Sequence, residues 1–282
     1  MLSQDWQGQG FDPGFDDTAW AGGWLQVPIA QVPPGMHVSG YRVERRALQH
    51  TEVFGQPMRL VAPLECRLLF DPQGRLWMSD TPQERIMMYN NGRRSQGSVL
   101  IGGLGLGLYP QYAVVGAAGQ AIRFTVIEFS AVVRDIVEPT LSASLDVPLE
   151  VQTGDVAAYL SGPVTTKYDT IFLDTWETLD AAHLPEINRL RDLALRHLAP
   201  GGRVLLWGYR WMVRLFEDAC LQLLDVAPAQ RGVWLAAQAE ASPQAVALLT
   251  PVLDHFGERR VKDVQKALAW CREYIMRRVA PI

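Results

Sequence analysis

Four short segments of this 282-residue chain carry residues whose types and spacing suit the holding of a polar ligand. The first is Val99-Leu100-Ile101-Gly102-Gly103-Leu104-Gly105-Leu106-Gly107, an apolar run that passes into glycines alternating with leucines. A strand that turns into a helix through glycine lets a ligand approach the backbone closely, and the N–H groups opening the helix then face the ligand's polar end. Gly103, Gly105 and Gly107 are the positions expected at that contact, although the same pattern also suits a turn needed only for strand–helix packing. The second is Glu128, closing the run Val126-Ile127-Glu128 about twenty residues after the last glycine, where a carboxylate accepts hydrogen bonds from ribose hydroxyls. The third is Gly154-Asp155, where a carboxylate could reach an adenine amino group or, more simply, cap a helix. The fourth, Asp174-Thr175-Trp176-Glu177, sets two carboxylates and an indole after another apolar run. Ligands of open α/β sheets bind at the carboxyl edge of the strands, so these groups are expected at the ligand's reacting end.

Such a site needs a sheet to hold it, and the pattern beyond Ser98 supplies one by alternating strands with helices. Strands are expected over Val99–Gly102, Arg123–Ile127, Leu149–Gln152, Thr170–Leu173 and Arg203–Trp207. Helices are expected over Leu108–Ala118, Ser130–Glu138, Val156–Leu160 and Leu184–Leu198, with Pro200-Gly201-Gly202 stopping the last of these. A final helix is expected from Val261 to Val279. The fold class is therefore α/β, a doubly wound, mostly parallel sheet with helices on both faces. Before it, Tyr41 to Met78 reads as short strands meeting in a hairpin at Asp71-Pro72-Gln73-Gly74. Thr81-Pro82-Gln83-Glu84 reads as a helix start, with Thr81 as cap and Glu84 completing a capping box, and the helix ends near Asn91-Gly92. The expected division is an N-terminal arm (1–40), a small β-hairpin domain with a gate helix (41–97), and the α/β domain with its C-terminal helices (98–282).

Composition narrows the chemistry. The chain is 48% hydrophobic and 20% charged, with no apolar run near the roughly 20 residues that span a bilayer, so no membrane association is expected. The opening MLSQDWQGQGFDPG has no basic segment followed by an apolar one, which makes the cytoplasm the expected compartment. Cys66, Cys220 and Cys271 are widely spaced and lack a CxxC pattern, so neither a disulfide framework nor a metal site is expected. A net charge of -4 argues against broad attraction to nucleic acid. A small-molecule or protein acceptor is the expected partner, and the N-terminal hairpin or C-terminal helices could serve a homodimer.

In their order and placement the four segments resemble the class I S-adenosylmethionine-dependent methyltransferases, over about Val99 to Gly208. The resemblance implies S-adenosylmethionine as cofactor, with Gly103, Gly105 and Gly107 at its methionine and ribose part, Glu128 at the ribose and Asp155 at adenine. YDTIFLDTWE is similar to the fourth motif of that family and LAPGGRVLLWG to the segment leading into its fifth strand, while Ile101 stands where many members carry an acid. The hairpin followed by RLWMSDTPQERIMMY is similar to the N-terminal domain and gate of spermidine synthases. Those enzymes usually carry an aspartate where Leu106 stands and a Tyr-His-Glu-like stretch where Met87-Met88-Tyr89 stands.

The resemblance implies methyl transfer by in-line displacement, in which alignment and exclusion of water are the protein's main contribution. Asp174, Trp176 and Glu177 are the candidate catalytic residues. Asp174 could also contact the cofactor, and could orient or deprotonate an acceptor amine or hydroxyl; Trp176 or Tyr209 could pack on a cationic centre. Aminopropyl transfer from decarboxylated S-adenosylmethionine is the alternative, with Asp174, Glu177 and Asp80 as the carboxylates available to a cationic amine. A noncatalytic nucleoside-binding or scaffold protein is the third reading. Trp207, Trp211 and His197 read more simply as packing residues, and His183 as a residue near the sheet's active edge.

Overall fold

The computed structural model describes residues 10–116, 121–238, 242–257 and 259–277. The protein is α/β: five parallel strands form one sheet flanked by helices, and four antiparallel strands form another. The described residues divide into two compact units, one made of residues 10–175 together with 193–207, the other of 176–192 with 208–277.

The first unit, the sheet unit, holds both sheets. Its antiparallel sheet is built from β1 (Gly35–Met36), β2 (Arg42–Val53), β3 (Gln56–Phe70) and β4 (Leu76–Ser79), paired in that order. The expected turn at residues 71–74 joins β3 to β4, with Asp71 accepting from the backbone N–H of Gln73 and Arg75. The longer β2–β3 hairpin turns through Phe54 and Gly55, both at positive φ (50° and 74°), as a two-residue turn of the primed kind requires. An aromatic residue at positive φ carries no sequence mark, which is why this turn is not legible beforehand.

Helix α1 (Pro82–Gly92) starts after Thr81 as expected, but the Thr81 side chain makes no capping bond. The capping box is absent because Glu84 is engaged elsewhere, as described below. Asp80, just ahead of the helix, is fully buried and paired with Arg85 at 2.8 Å; it also accepts from Gln31 and from the backbone of Arg67. It joins arm, sheet and helix, and its charge is already neutralised, so it is not available to a cationic substrate.

The parallel sheet runs in the order β7 (Leu149–Thr153), β6 (Ala121–Glu128), β5 (Gly97–Gly102), β8 (Tyr168–Leu173), β9 (Leu198–Leu206). The chain starts in the middle at β5, moves outward to β7, then returns to the other side of β5, so the direction reverses between β5 and β8. Both β5 and β8 are buried almost throughout, as strands covered on two faces must be. Tyr109, from α2 (Leu108–Gly116), stacks on Phe172 of β8 with centroids 3.9 Å apart. Helices α3 (Ala131–Ser144) and α4 (Val156–Ser161) follow β6 and β7. The last two residues of the expected Leu108–Ala118 helix lie outside the described residues.

Two boundaries differ from expectation. Helix α5 (Leu184–Leu195) stops before Leu198, and Pro200-Gly201-Gly202 lies inside β9 instead of ending a helix. Pairing with β8 shifts register here, and a Cβ on Gly202 would stand 2.9 Å from the Tyr168 carbonyl oxygen, so these glycines permit an irregular strand start. Beyond β9, Phe11 of the arm forms a parallel bridge with Val204, whose N–H donates to the Gly10 carbonyl at 2.6 Å.

The second unit is helical: most of α5, then α6 (Tyr209–Asp225), α7 (Arg231–Gln238), α8 (Pro243–Phe256) and α9 (Val264–Met276). Asp263 caps α9, which is therefore shorter than expected at its start; Arg278 and Val279 lie outside the described residues. The fully buried Arg191 guanidinium donates to Asn188 and to the Met276 carbonyl, while Asn188 donates to the Ile275 carbonyl, so the end of α9 is held by α5. The three cysteines are buried and unbridged. Among the described residues no helix is long and apolar enough to cross a membrane.

Candidate functional site

The glycine bend sits at the carboxyl end of β5, beside the point where the sheet reverses direction. Gly103, Gly105 and Gly107 all have positive φ (90°, 56° and 76°), a backbone path that side-chained residues rarely follow. The three do different things. A Cβ on Gly103 would lie 2.2 Å from the Asp174 carbonyl oxygen, and one on Gly107 would press on Leu141 at 3.2 Å. These two glycines therefore serve close packing. Around Gly105 nothing stands within 4 Å of that position, so this glycine borders open space.

Glu128, at the end of β6, is buried and points at the bend. One carboxylate oxygen accepts from the Leu104 N–H and the other from the Ser130 N–H, each at 2.8 Å. Burial pushes its pKa up, and the two amide donors pull against that shift. A carboxylate offers about four lone-pair sites, so acceptor capacity remains after both amides are satisfied. Phe129 follows directly, with its ring 79% exposed at the same edge of the sheet. Asp155 is exposed, and its side chain accepts from the Ala157 N–H at 2.7 Å, making it the cap of α4 at the end of β7.

Asp174 follows β8, and its N–H donates to the Gly102 carbonyl at 2.9 Å, which fastens the end of β8 to the start of the bend. Its pKa is pushed up to about 8, first by burial and then by the charges of Asp17 and Glu128. Glu84 of α1 is pushed up to about 8 as well, by burial, then by Asp174 and Asp17, while the indole of Trp207 favours its charged form. Asp17 itself is 1% exposed, with the Asn91 amide donating to its carboxylate at 2.8 Å and the Asn90 amide holding its carbonyl. The arm, α1 and the parallel sheet thus bring Asp17, Glu84 and Asp174 within electrostatic reach of one another, and Asp174 within reach of Glu128. Groups so arranged hold protons at neutral pH or attract a cation.

Gly103, Gly105, Gly107, Glu128 and Asp174, expected together from their spacing, lie together. Glu84, Asp17 and Phe129 carry no such mark in the sequence. Glu84 fits a capping box equally well on local spacing, and Asp17 lies in an arm with no periodicity. Trp176 and Glu177 begin the helical unit, Trp176 buried and Glu177 exposed. In that unit Tyr209 is buried and donates to Asn188 at 2.7 Å, a packing role, and His183 contacts Thr178 at 3.0 Å. His197, in the sheet unit, is buried with its Nε2 3.0 Å from the Leu160 carbonyl. Among the described residues no cluster of His, Cys, Asp or Glu is arranged to hold a metal ion.

No family model matches the chain, and none of the curated proteins matches it. Part of it is similar to solved structures whose names are those of methyltransferases. One is an S-adenosylmethionine-dependent methyltransferase from Thiobacillus denitrificans in complex with S-adenosyl-L-homocysteine, at 23% identity and TM-score 0.32, covering 45% of this chain and 48% of that one. Another is a ribosomal protein L11 methylase from Lactobacillus delbrueckii subsp. bulgaricus, at 17% identity and TM-score 0.33, covering 49% and 64%. A third is an S-adenosylmethionine-dependent methyltransferase from Clostridium acetobutylicum, at 11% identity and TM-score 0.31, covering 41% and 44%. The matched region spans less than half of several of these chains.

Proposed function

We propose that the sheet unit binds S-adenosylmethionine at the Gly103–Gly107 bend and that the protein is a methyltransferase of the class I kind. The observation that carries this reading is the geometry of Glu128: its carboxylate is fixed on the Leu104 amide, beside the one glycine of the bend that borders open space. The residues present suit that cofactor. Glu128 has acceptor capacity left for ribose hydroxyls, the exposed Phe129 ring offers an apolar face for adenine, and α2 opens directly after the bend. Asp155, occupied as a helix cap, keeps one carboxylate oxygen for an exocyclic amino group. When bound, S-adenosylmethionine supplies a methyl group already activated by its sulfonium.

The acidic residues then define the acceptor. Asp174 and Glu84, with the charge of the buried Asp17 adding to theirs, attract an amine that arrives as a cation, and Asp174, whose pKa is pushed up to about 8, takes its proton. We read the acceptor as an amine-bearing small molecule or protein side chain, and the compartment as the cytoplasm. Aminopropyl transfer would draw on the same carboxylates, so putrescine with decarboxylated S-adenosylmethionine is the necessary control.

Titration calorimetry with S-adenosylhomocysteine is the direct test. One-to-one binding, lost in Glu128→Ala, is the expected result. Absence of heat with both S-adenosylmethionine and S-adenosylhomocysteine would leave a scaffold protein. Turnover only with the decarboxylated donor would replace methyl by aminopropyl transfer.

A further inference from the structure

In the helical unit, the facing ends of α8 and α9 and residues between them line an open cavity of about 370 Å³, within the size range of small-ligand pockets. Its floor is apolar and aromatic: Phe256, Val261, Ala267 and Trp270 line it. Trp270 is fixed there, with the His255 ring stacked on it at 3.8 Å, Phe256 edge-on at 5.3 Å and Tyr274 parallel at 5.5 Å.

The rim has the opposite character. Four of the lining residues, Arg259, Arg260, Lys262 and Lys266, are cations, and Asp263 is the single acid among them, in a chain whose net charge is -4. Asp263 is committed to capping α9 through the Lys266 N–H, with the Lys266 ammonium 3.6 Å from its carboxylate. Arg259 is turned back onto the carbonyls that end α8. That leaves Arg260 and Lys262, both exposed and without an ion-pair partner among the described residues.

Two backbone carbonyls close to them are also held in place. Arg231, 2% exposed, donates to the carbonyls of Gly257 and Arg259 at 3.0 Å each. Backbone groups fixed in this way lose little freedom when a ligand arrives.

We propose that this cavity is a second binding site, for a small organic anion with a planar apolar ring: the ring rests on the Phe256–Trp270 floor and the anionic group meets Arg260 and Lys262. The inference stands apart from the cofactor reading, since no residue is shared with the glycine bend.

The test is calorimetry on the full chain, with and without saturating S-adenosylhomocysteine, using 1-naphthyl phosphate, inorganic phosphate and 1-naphthol as probes. Expected is one-to-one binding of naphthyl phosphate, at least tenfold tighter than either fragment and unchanged by S-adenosylhomocysteine. The double variant Arg260→Ala/Lys262→Ala should weaken it at least tenfold with the thermal midpoint unmoved. A two-dimensional amide spectrum should show the Trp270 indole N–H shifting on titration. The proposal fails if inorganic phosphate or naphthol binds as tightly as the conjugate, if the double variant binds normally, or if S-adenosylhomocysteine competes.

Discussion

The edge of the parallel sheet and the α8–α9 cavity handle charge in opposite ways. At the sheet edge the charged groups are acids, gathered from the arm, α1 and the ends of β6 and β8, and withdrawn from water far enough that Glu84 and Asp174 shift to about 8. At the cavity the charged groups are mostly bases, on the loop and the start of α9, and Arg260, Lys262 and Lys266 remain exposed. Desolvated like charges raise proton affinity and store repulsion that a cation or a proton relieves. Solvated cations store little, and act through attraction at their surface. The first arrangement suits chemistry on a bound group, and the second suits binding alone.

The strongest challenge to that contrast is Asp174→Asn. If Asp174 takes the acceptor's proton, turnover should fall by about 10² to 10⁴, with S-adenosylhomocysteine affinity held within a few-fold. An equal fall in both would make Asp174 a cofactor ligand only. Next in size is Glu128→Ala, which strips one hydrogen-bond partner from the Leu104 and Ser130 amides and from the ribose. Cofactor affinity should drop about 100-fold, and chemical denaturation should report a loss of about 1–3 kcal/mol.

Glu84→Gln sharpens the electrostatic half of the comparison. Because the folded-state pKa of Glu84 is raised from 4.5 to about 8, the native protein keeps a proton that the unfolded chain has released, so stability declines as pH climbs through that interval. Glutamine removes this contribution. The variant should match the parent near pH 4 and exceed it by at least about 1 kcal/mol at pH 8.5. Equal denaturant midpoints at both pH values would show that Glu84 is solvated after all. The smallest effect is expected for Phe129→Ala, which should weaken S-adenosylhomocysteine binding a few-fold and leave the melting temperature within about a degree, as its ring is exposed.

Much of the sheet was legible because β5, β6 and β8 are short apolar runs followed by glycine or acid, a pattern set by burial on both faces. The bend and Glu128 were legible for the same reason, since both lie within a residue or two of a strand end. The acidic cluster was not. Thr81-Pro82-Gln83-Glu84 satisfies the local rules of a capped helix, and only the packing of α1 in the sheet unit decides that Glu84 turns toward Asp174. Asp17 lies in a stretch without periodicity, and its importance comes from Asn90 and Asn91, over seventy residues away. Pro200-Gly201-Gly202 misled in the other direction: a helix terminator by composition, it is tolerated in β9 because strand pairing there is already irregular.

The bridge between Phe11 and Val204 lies on an edge of the parallel sheet. β9 is a margin of the parallel sheet, and its free hydrogen-bonding row would accept another chain as readily as its own. Residues 10 and 11 lie against that margin at Val204 and cover this part of it. Trimming the chain past Phe11 would unmask a template for strand addition, so the first visible consequence of a shortened N-terminus should be self-association rather than unfolding.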